Sequence, residues 1–288
     1  MSNSCLDILN KAVDRLRSEG IDRPRTNAEL LLGAVLHAKK IDLYLGRDRV
    51  LTPQQTDRFN EFIRERVSGR PLQYIVGSTE FFGLEFQVNE SVLIPRPETE
   101  TLVETVIELL KDRPEPKIID LGTGSGAIAI SLAKNVSGSS VFATDISPDA
   151  LKVAEQNARM NKVADQIDFL CGDLFEPLKD RKLEGVVDCV ASNPPYVSQE
   201  EFERLPEEVR DYEPVVALKT GEEGMSFHSK IIGNSLDFVR QNGILIMEVG
   251  LGQAAQVAGL IGDRKEFKDA EIKKDLGGIE RVVLARKA

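Results

Sequence analysis

Apolar positions in the first seventy residues recur at helical spacing. Leu6, Leu9, Ala12, Val13 and Leu16 share one helical face. Thr26-Asn27-Ala28-Glu29 has the spacing of a capping box and opens the apolar run Leu30 to Leu36. Thr52-Pro53-Gln54-Gln55 is a second box, with Pro at the first helical position. Gly69 would close that helix at its C-terminal end. The pattern predicts a small helical bundle over residues 1–71. The period then changes. Leu84, Phe86 and Val88 alternate with Glu85 and Gln87, which is strand spacing, and Gln73 to Val76 is the expected partner strand. Residues 72–95 therefore read as a β-hairpin linker. The prolines of Ile94-Pro95-Arg96-Pro97 disfavour helix on the upstream side. Pro97-Glu98-Thr99-Glu100 opens a new helix, with Glu98 and Glu100 as partners of its dipole.

From residue 117 the order is strand, turn, helix, repeated. Expected strands are Lys117–Leu121, Val141–Asp145, Ile167–Cys171, Val186–Ala191, Gly243–Val249 and Arg281–Ala285, with helical stretches such as Asp149–Met160 between them. This alternation predicts an α/β domain over residues 96–288: a mostly parallel sheet with helices on both faces.

Charge separates the same two parts. Residues 1–75 hold 13 basic and 10 acidic side chains, and residues 76–288 hold 24 and 37, so the net charges are +3 and −13. An acidic α/β part is a poor wrapper of polyanions, which need dense Lys and Arg. The 288 residues are 41% hydrophobic and 29% charged, enough apolar surface for a packed core. No apolar run approaches membrane-spanning length, and the N-terminus has no signal-peptide pattern, so a cytoplasmic protein is expected. Three cysteines, Cys5, Cys171 and Cys189, are no disulfide framework, and two histidines, His37 and His228, make no His/Cys metal cluster.

Candidate chemistry follows the strands. Asp120-Leu121-Gly122-Thr123-Gly124-Ser125-Gly126 leaves the first strand and opens the helical run Ala127 to Ala133. Its G-x-G-x-G spacing lets a backbone turn approach a ligand closely. Asp145 ends the next strand, 19 positions after Gly126, where an acid can accept hydrogen bonds from ribose hydroxyls. Ser147-Pro148 then reads as a helix N-cap followed by Pro. Gly172-Asp173-Leu174-Phe175 follows the third strand and reads as a Gly-Asp turn; it also resembles the place where methyltransferases set a polar residue against the adenine amino group beside an apolar one. Asn193-Pro194-Pro195-Tyr196 follows the fourth, at the carboxyl edge where open α/β sheets bind ligands. A planar amide or aromatic amine is a weak nucleophile because its nitrogen lone pair is delocalised. The Asn193 side-chain oxygen and the Pro194 carbonyl can accept both of its N–H bonds, aiming the nitrogen and stabilising the charge that develops there. Tyr196 offers a flat face for stacking.

The four motifs in this order resemble those of amino-methyltransferases. Tyr74-Ile75-Val76-Gly77, Phe82-Gly83, Leu93-Ile94-Pro95-Arg96-Pro97-Glu98-Thr99-Glu100, Tyr212-Glu213-Pro214 with Ala217-Leu218 and Gly221, and Gly243-Ile244-Leu245-Ile246-Met247-Glu248-Val249-Gly250 narrow the resemblance to the release factor glutamine methyltransferase family (PrmC/HemK). Glu222-Glu223-Gly224 departs from the family's tighter Gly-Asp-Gly. The resemblance implies a Rossmann-like class I methyltransferase domain behind the helical bundle. It implies an enzyme that methylates the side-chain amide nitrogen (N5) of the glutamine in the Gly-Gly-Gln loop of class 1 release factors. S-adenosylmethionine would be the donor and S-adenosylhomocysteine the product, with no metal. Gly122, Thr123, Gly124, Ser125, Gly126, Asp145, Asp173, Leu174 and Asn193 would hold the donor. Asn193, Pro194, Pro195 and Tyr196 would hold the glutamine, with Asn193, Pro194 and Tyr196 catalytic. Transfer is expected as direct displacement at the sulfonium methyl, with no covalent intermediate. The helical bundle would dock the release factor. The chain is expected to be a monomer without stable nucleic-acid binding. Two other readings remain: methylation of a nucleic-acid amine (adenine N6 or guanine N2), which suits the same turn, and a non-catalytic donor-binding adaptor, which would leave that turn idle.

Overall fold

The computed structural model describes residues 4–220, 224–268 and 270–288. Gly221, and Glu222 and Glu223 of the Glu222-Glu223-Gly224 departure from the family pattern, lie outside the described residues. The chain forms two compact units. One runs to Ser78 and adds Pro206–Tyr212; the other is Thr79–Leu205 with Glu213–Ala288.

The first unit holds α1 (Cys5–Ser18), α2 (Pro24–Leu36), α3 (Lys40–Leu45), α4 (Pro53–Val67) and α5 (Leu72–Val76). Leu9, Val13 and Leu16 of α1 pack with Leu31, Leu32, Phe59 and Ile63 in one core. The expected box at Thr52 caps α4, its hydroxyl accepting from Gln55 N while the Gln55 side chain accepts from Thr52 N. The box expected at Thr26 does not form. Pro24 starts α2 two residues earlier, and burial takes the polar residues of the would-be box for other work. Asn27 donates to the carbonyls of Asp22 and Arg23 and accepts from Arg66 Nε at 2.8 Å. Glu29, also buried, pairs with Lys40 at 2.8 Å. Gln73 to Val76 is helix α5, not the expected strand. Adjacent Tyr74 and Ile75 are both buried, which suits one helical face rather than an alternating strand, and Gly77 (φ 84°) stops the helix.

The hairpin pairs β1 (Ser78–Phe81) with β2 (Leu84–Gln87) around Phe82-Gly83, both at positive φ. Two such residues give the turn whose twist matches a hairpin. Glu100 Oε1 accepts from Phe82 N at 2.7 Å, so an acid in the first turn of its helix also holds this turn.

The remaining elements are α6 (Glu100–Leu110), β3 (Lys117–Leu121), α7 (Ala127–Asn135), β4 (Ser140–Asp145), α8 (Pro148–Met160), β5 (Ile167–Cys171), β6 (Val187–Ser192), α9 (Gln199–Glu203), α10 (Glu207–Arg210), α11 (Val215–Leu218), α12 (Ser226–Phe238), β7 (Val239–Glu248), α13 (Ala254–Gly262), β8 (Glu271–Lys274) and β9 (Glu280–Arg286). A short 3₁₀ turn, Pro97–Thr99, precedes α6. The sheet order is β5-β4-β3-β6-β7-β9-β8, parallel through β7, with β9 and β8 antiparallel. Edge strand β8 escapes the sequence pattern because all four of its residues are exposed and none alternates with burial. Ile118 faces a core shared with Leu102, Val106 and Ile130, together with Phe81 and Phe86 of the hairpin. Its neighbour Ile119 faces the opposite core, with Ile231, Val257 and Ile261. Two covered faces explain the nearly unbroken apolar strands. Among the described residues no helix is long and apolar enough to cross a membrane.

One fully buried side chain fastens the hairpin to this layer. Asn157 of α8 donates to Gln87 O (3.0 Å) and Ser125 O (2.9 Å) and accepts from Gln87 N (2.7 Å). Asn157→Ala would strand all three groups, at about 3 kcal/mol. Thermal unfolding of this variant should fall by about 5–10 °C, and a shift under about 2 °C would contradict the role.

Candidate active site

The sheet register brings the four motifs to one edge. Leu121 pairs with Thr144 on one side and Ser192 on the other, and Asp145 pairs with Cys171. Gly122, Asp145, Gly172 and Asn193 therefore leave neighbouring strand ends side by side. The chain reverses its direction of travel across the sheet between β3 and β6, the switch point where open α/β sheets open a crevice. A cavity lies there, lined by Gly122, Gly124, Asp145, Asp173, Leu174, Asn193, Pro194 and Pro195 among others.

The glycine turn is built for approach. Gly122 (φ 69°) and Gly124 (φ 55°) both sit where a side chain is strained, and a Cβ on either would meet nothing within 4 Å. That open space is on the ligand side. Gly126 serves packing instead, since a Cβ there would stand 2.7 Å from Ile130 Cδ1 and 3.2 Å from Ala154 Cβ. Thr123 and Ser125 are buried behind the turn; the Thr123 hydroxyl donates to Asp120 Oδ2 at 2.6 Å. Thr123, Ser125 and Gly126 thus shape the loop without lining the cavity.

Asp145 has two tasks. Its carboxylate accepts from Gly124 N (2.8 Å) and Ser147 N (2.9 Å), tying the loop to the start of α8, and it also lines the cavity. Burial raises its pKa against the pull of those backbone donors. Ser147 caps α8 as expected, accepting from Ala150 N. Leu174 takes the left-handed conformation (φ 47°) at the cavity wall, which costs energy for a non-glycine residue.

The Asn193 turn is held from behind. Asn193 Nδ2 donates to Thr99 Oγ1 at 3.2 Å, and Thr99 donates to Glu248 Oε2 at 2.5 Å. Tyr196 Oη reaches Glu248 Oε1 at 3.4 Å, and its carbonyl accepts from Gln253 Nε2 at 3.1 Å. The Tyr196 ring packs beside Gly250, where a Cβ would stand 3.0 Å from its Cδ2. Tyr196 is therefore not among the residues lining the cavity and braces the turn. Glu248 is 1% exposed, and burial pushes its pKa up to about 7 despite the Thr99 bond and Arg281.

Further walls come from segments outside the four strand-end motifs. They are Ser91 to Leu93 after the hairpin, Pro214, Val216 and Ala217 around α11, and Phe227 and Lys230 of α12. Glu213 joins two of these walls, accepting from Ile94 N (3.2 Å) and Arg96 Nη2 (2.5 Å). Only the segment after the hairpin and the stretch around Glu213 carried a signal, as part of the family resemblance.

Backbone space at Gly122 and Gly124, a carboxylate at Asp145, and apolar Ile146, Leu174 and Pro195 fit a nucleoside carrying a charged tail. The fold has solved counterparts. The catalytic domain of hMettl16 in complex with MAT2A 3'UTR hairpin 6 gives a TM-score of 0.57 at 17% identity, covering 81% of each chain. A methyltransferase from Pyrococcus furiosus gives 0.52 at 15%, covering 82% of this chain and 100% of that one. Fold and site define an S-adenosylmethionine-dependent methyltransferase of the Rossmann-like class I type. The PrmC N-terminal domain family matches residues 7–77, and the methyltransferase small domain family matches 98–208. Release factor glutamine methyltransferases of Nitratidesulfovibrio vulgaris (41% identity; 97% of this chain, 94% of that one) and Chlorobaculum tepidum (39%; 96% and 95%) align over nearly the whole length. The chain belongs to the release factor glutamine methyltransferase family.

Asp120 sits beneath the glycine turn, fully buried, with Oδ1 unpartnered. Burial raises its pKa from 3.8 to about 7. Between those values the folded chain keeps a proton that the unfolded chain has lost, so stability falls as pH rises through the window and levels off above it. Asp120→Asn keeps the accepted bonds and removes the charge. It should stabilise the protein by about 2 kcal/mol at pH 8 and flatten the acid side of the curve. Thermal melts from pH 5 to 8 with an unchanged slope would contradict this.

Proposed function

We propose that this chain transfers a methyl group from S-adenosylmethionine to the side-chain amide nitrogen (N5) of the glutamine in the Gly-Gly-Gln loop of class 1 release factors, tuning translation termination. Bound in the cavity, S-adenosylmethionine supplies an electrophilic methyl on a sulfonium centre. Gly122 and Gly124 would admit its body, Asp145 its ribose hydroxyls, and Asp173 and Leu174 its adenine.

One observation carries the assignment of the amide site. Asn193 spends its side-chain N–H on Thr99, and among the described residues neither Asn193 Oδ1 nor the Pro194 carbonyl has a hydrogen-bond partner. Two unpartnered acceptors at the cavity match the two N–H bonds of a primary amide. Holding both aims the nitrogen lone pair at the methyl and stabilises the positive charge that grows on nitrogen. The proton leaves after transfer, so no strong base is required. Pro195 fixes the direction of the preceding carbonyl, and Tyr196 locks the turn from the far side.

In this reading the helical residues 1–71 dock the body of the release factor, 72–95 form the linker, and 96–288 do the chemistry. The enzyme works as a cytoplasmic monomer without stable nucleic-acid binding. A nucleic-acid amine would fit the same two acceptors, but the near full-length relatives are named for a protein substrate.

Methyl transfer from labelled S-adenosylmethionine to a purified class 1 release factor, mapped by mass spectrometry, tests the assignment. Label should fall on the loop glutamine and vanish when that residue is Ala; label on total RNA instead would overturn it. Asn193→Ala should reduce turnover by about 10²–10³-fold while donor affinity stays within about threefold. Near-normal turnover would remove Asn193 from the mechanism.

A further inference from the structure

A side-chain amide is nearly symmetric in shape. Rotating the Asn193 amide by half a turn exchanges its oxygen for its NH₂ with little steric change. With the oxygen toward the cavity it accepts from a substrate amide. With the NH₂ there, donor would face donor and the grip would fail. Something must select the orientation.

Thr99 makes the selection. A hydroxyl has one hydrogen to give, and the Thr99 hydrogen is committed to Glu248 Oε2 at 2.5 Å. The Thr99 oxygen can then only accept, and it accepts from Asn193 Nδ2 at 3.2 Å. Polarity runs one way along the chain, from carboxylate to hydroxyl to amide. We propose that Thr99 and Glu248 are positioning residues for methyl transfer, fixing the Asn193 amide with its oxygen toward the substrate. This rests on the reading of Asn193 as the amide clamp.

Three features support it beyond the distances. The members come from three elements: the turn ahead of α6, the end of β6 and the end of β7. Thr99 and Glu248 are 4% and 1% exposed, so solvent does not compete for their bonds. Glu248 has no salt bridge among the described residues. The charged and titratable groups that face it are Arg281, Glu98 and the Tyr196 hydroxyl, while His228 Nε2 bonds its backbone carbonyl at 3.0 Å. A buried carboxylate without a salt bridge is poor packing and destabilising, which fits a retained function. Tyr196 meets the other oxygen of the same carboxylate, so both ends of the Asn193–Tyr196 turn take their position from Glu248.

The relay has a pH consequence. Ionised Glu248 can only accept. Once protonated it can donate to Thr99, whose hydrogen is then released to meet the Asn193 oxygen, and the wrong orientation becomes available. Activity should fall as pH drops through Glu248's titration near 7.

The test measures kcat, KM for the release factor and donor Kd from pH 5.5 to 8.5 in wild type, Thr99→Val, Thr99→Ser, Glu248→Gln and Asn193→Ala. Thr99→Val should lose about 10- to 100-fold in kcat with donor Kd within about threefold, and lose the acid limb of the pH profile. Thr99→Ser, which keeps the hydroxyl, should recover to within about threefold of wild type. Glu248→Gln can still accept from Thr99 but cannot titrate, so its acid limb should disappear; this arm stands if Thr99→Val does not fold. A Thr99→Val enzyme with wild-type kcat and an intact acid limb would overturn the relay. If Asn193→Ala also kept its turnover, the clamp reading would fail first. If Asn193→Ala is dead while Thr99→Val is normal, only the relay fails.

Discussion

The pairing of Leu121 with Ser192 across the two central strands fixes where everything at the cavity stands. Both residues are the last of their strands, so the glycine turn and the Asn193 turn begin at the same height. The pairings Leu121–Thr144 and Asp145–Cys171 carry that height outward to Asp145 and Gly172. Parallel ladders space their bonds evenly, so the four turns form one rim. Cores on both sheet faces hold the register: Ile118 looks to one and Ile119 to the other. The site geometry is thus inherited from packing several residues away.

Buried carboxylates mark the two ends of this sheet differently. Asp188, second residue of β6, accepts from Arg113 Nε (2.7 Å), Arg240 Nε (2.5 Å) and Lys117 N (2.9 Å). That carboxylate is fully compensated and acts as a staple. Asp120 and Glu248 lie toward the other end. There each has hydroxyl or backbone donors but no ion-pair partner within reach among the described residues, and burial lifts both pKa values to about 7. Desolvation without a counter-ion weakens the fold.

Legibility in the sequence followed how local each feature is. Gly122 to Gly126, Asp145 and Asn193 to Tyr196 announced themselves because each is a short run whose residue types are unusual after an apolar strand. Thr123, Ser125 and Tyr196 stand outside the cavity lining, since membership of a motif does not say which side chain faces the cavity. Phe227 and Lys230 carried no signal because only the crossover topology brings α12 to the cavity. Thr99 and Glu248 are 149 positions apart, and nothing local to either announces the partner. α5 misled because a stretch as short as Gln73 to Val76 fits either period, and Thr26 misled because a box pattern competes with Pro24 for the helix start.

Registered strand ends also set the terms on which such a chain can change over generations. Lengthening the connection between α8 and β5, or between β8 and β9, leaves the rim untouched, because those segments lie outside the cavity lining and return to fixed strands. Adding one residue inside β3 or β6 is different in kind. It would turn every later side chain of that strand to the opposite face and lift one motif out of line with its three neighbours. Lineages descended from this architecture are free to vary in the lengths of their connections, while the lengths of their central strands are held still by a rim no wider than four turns.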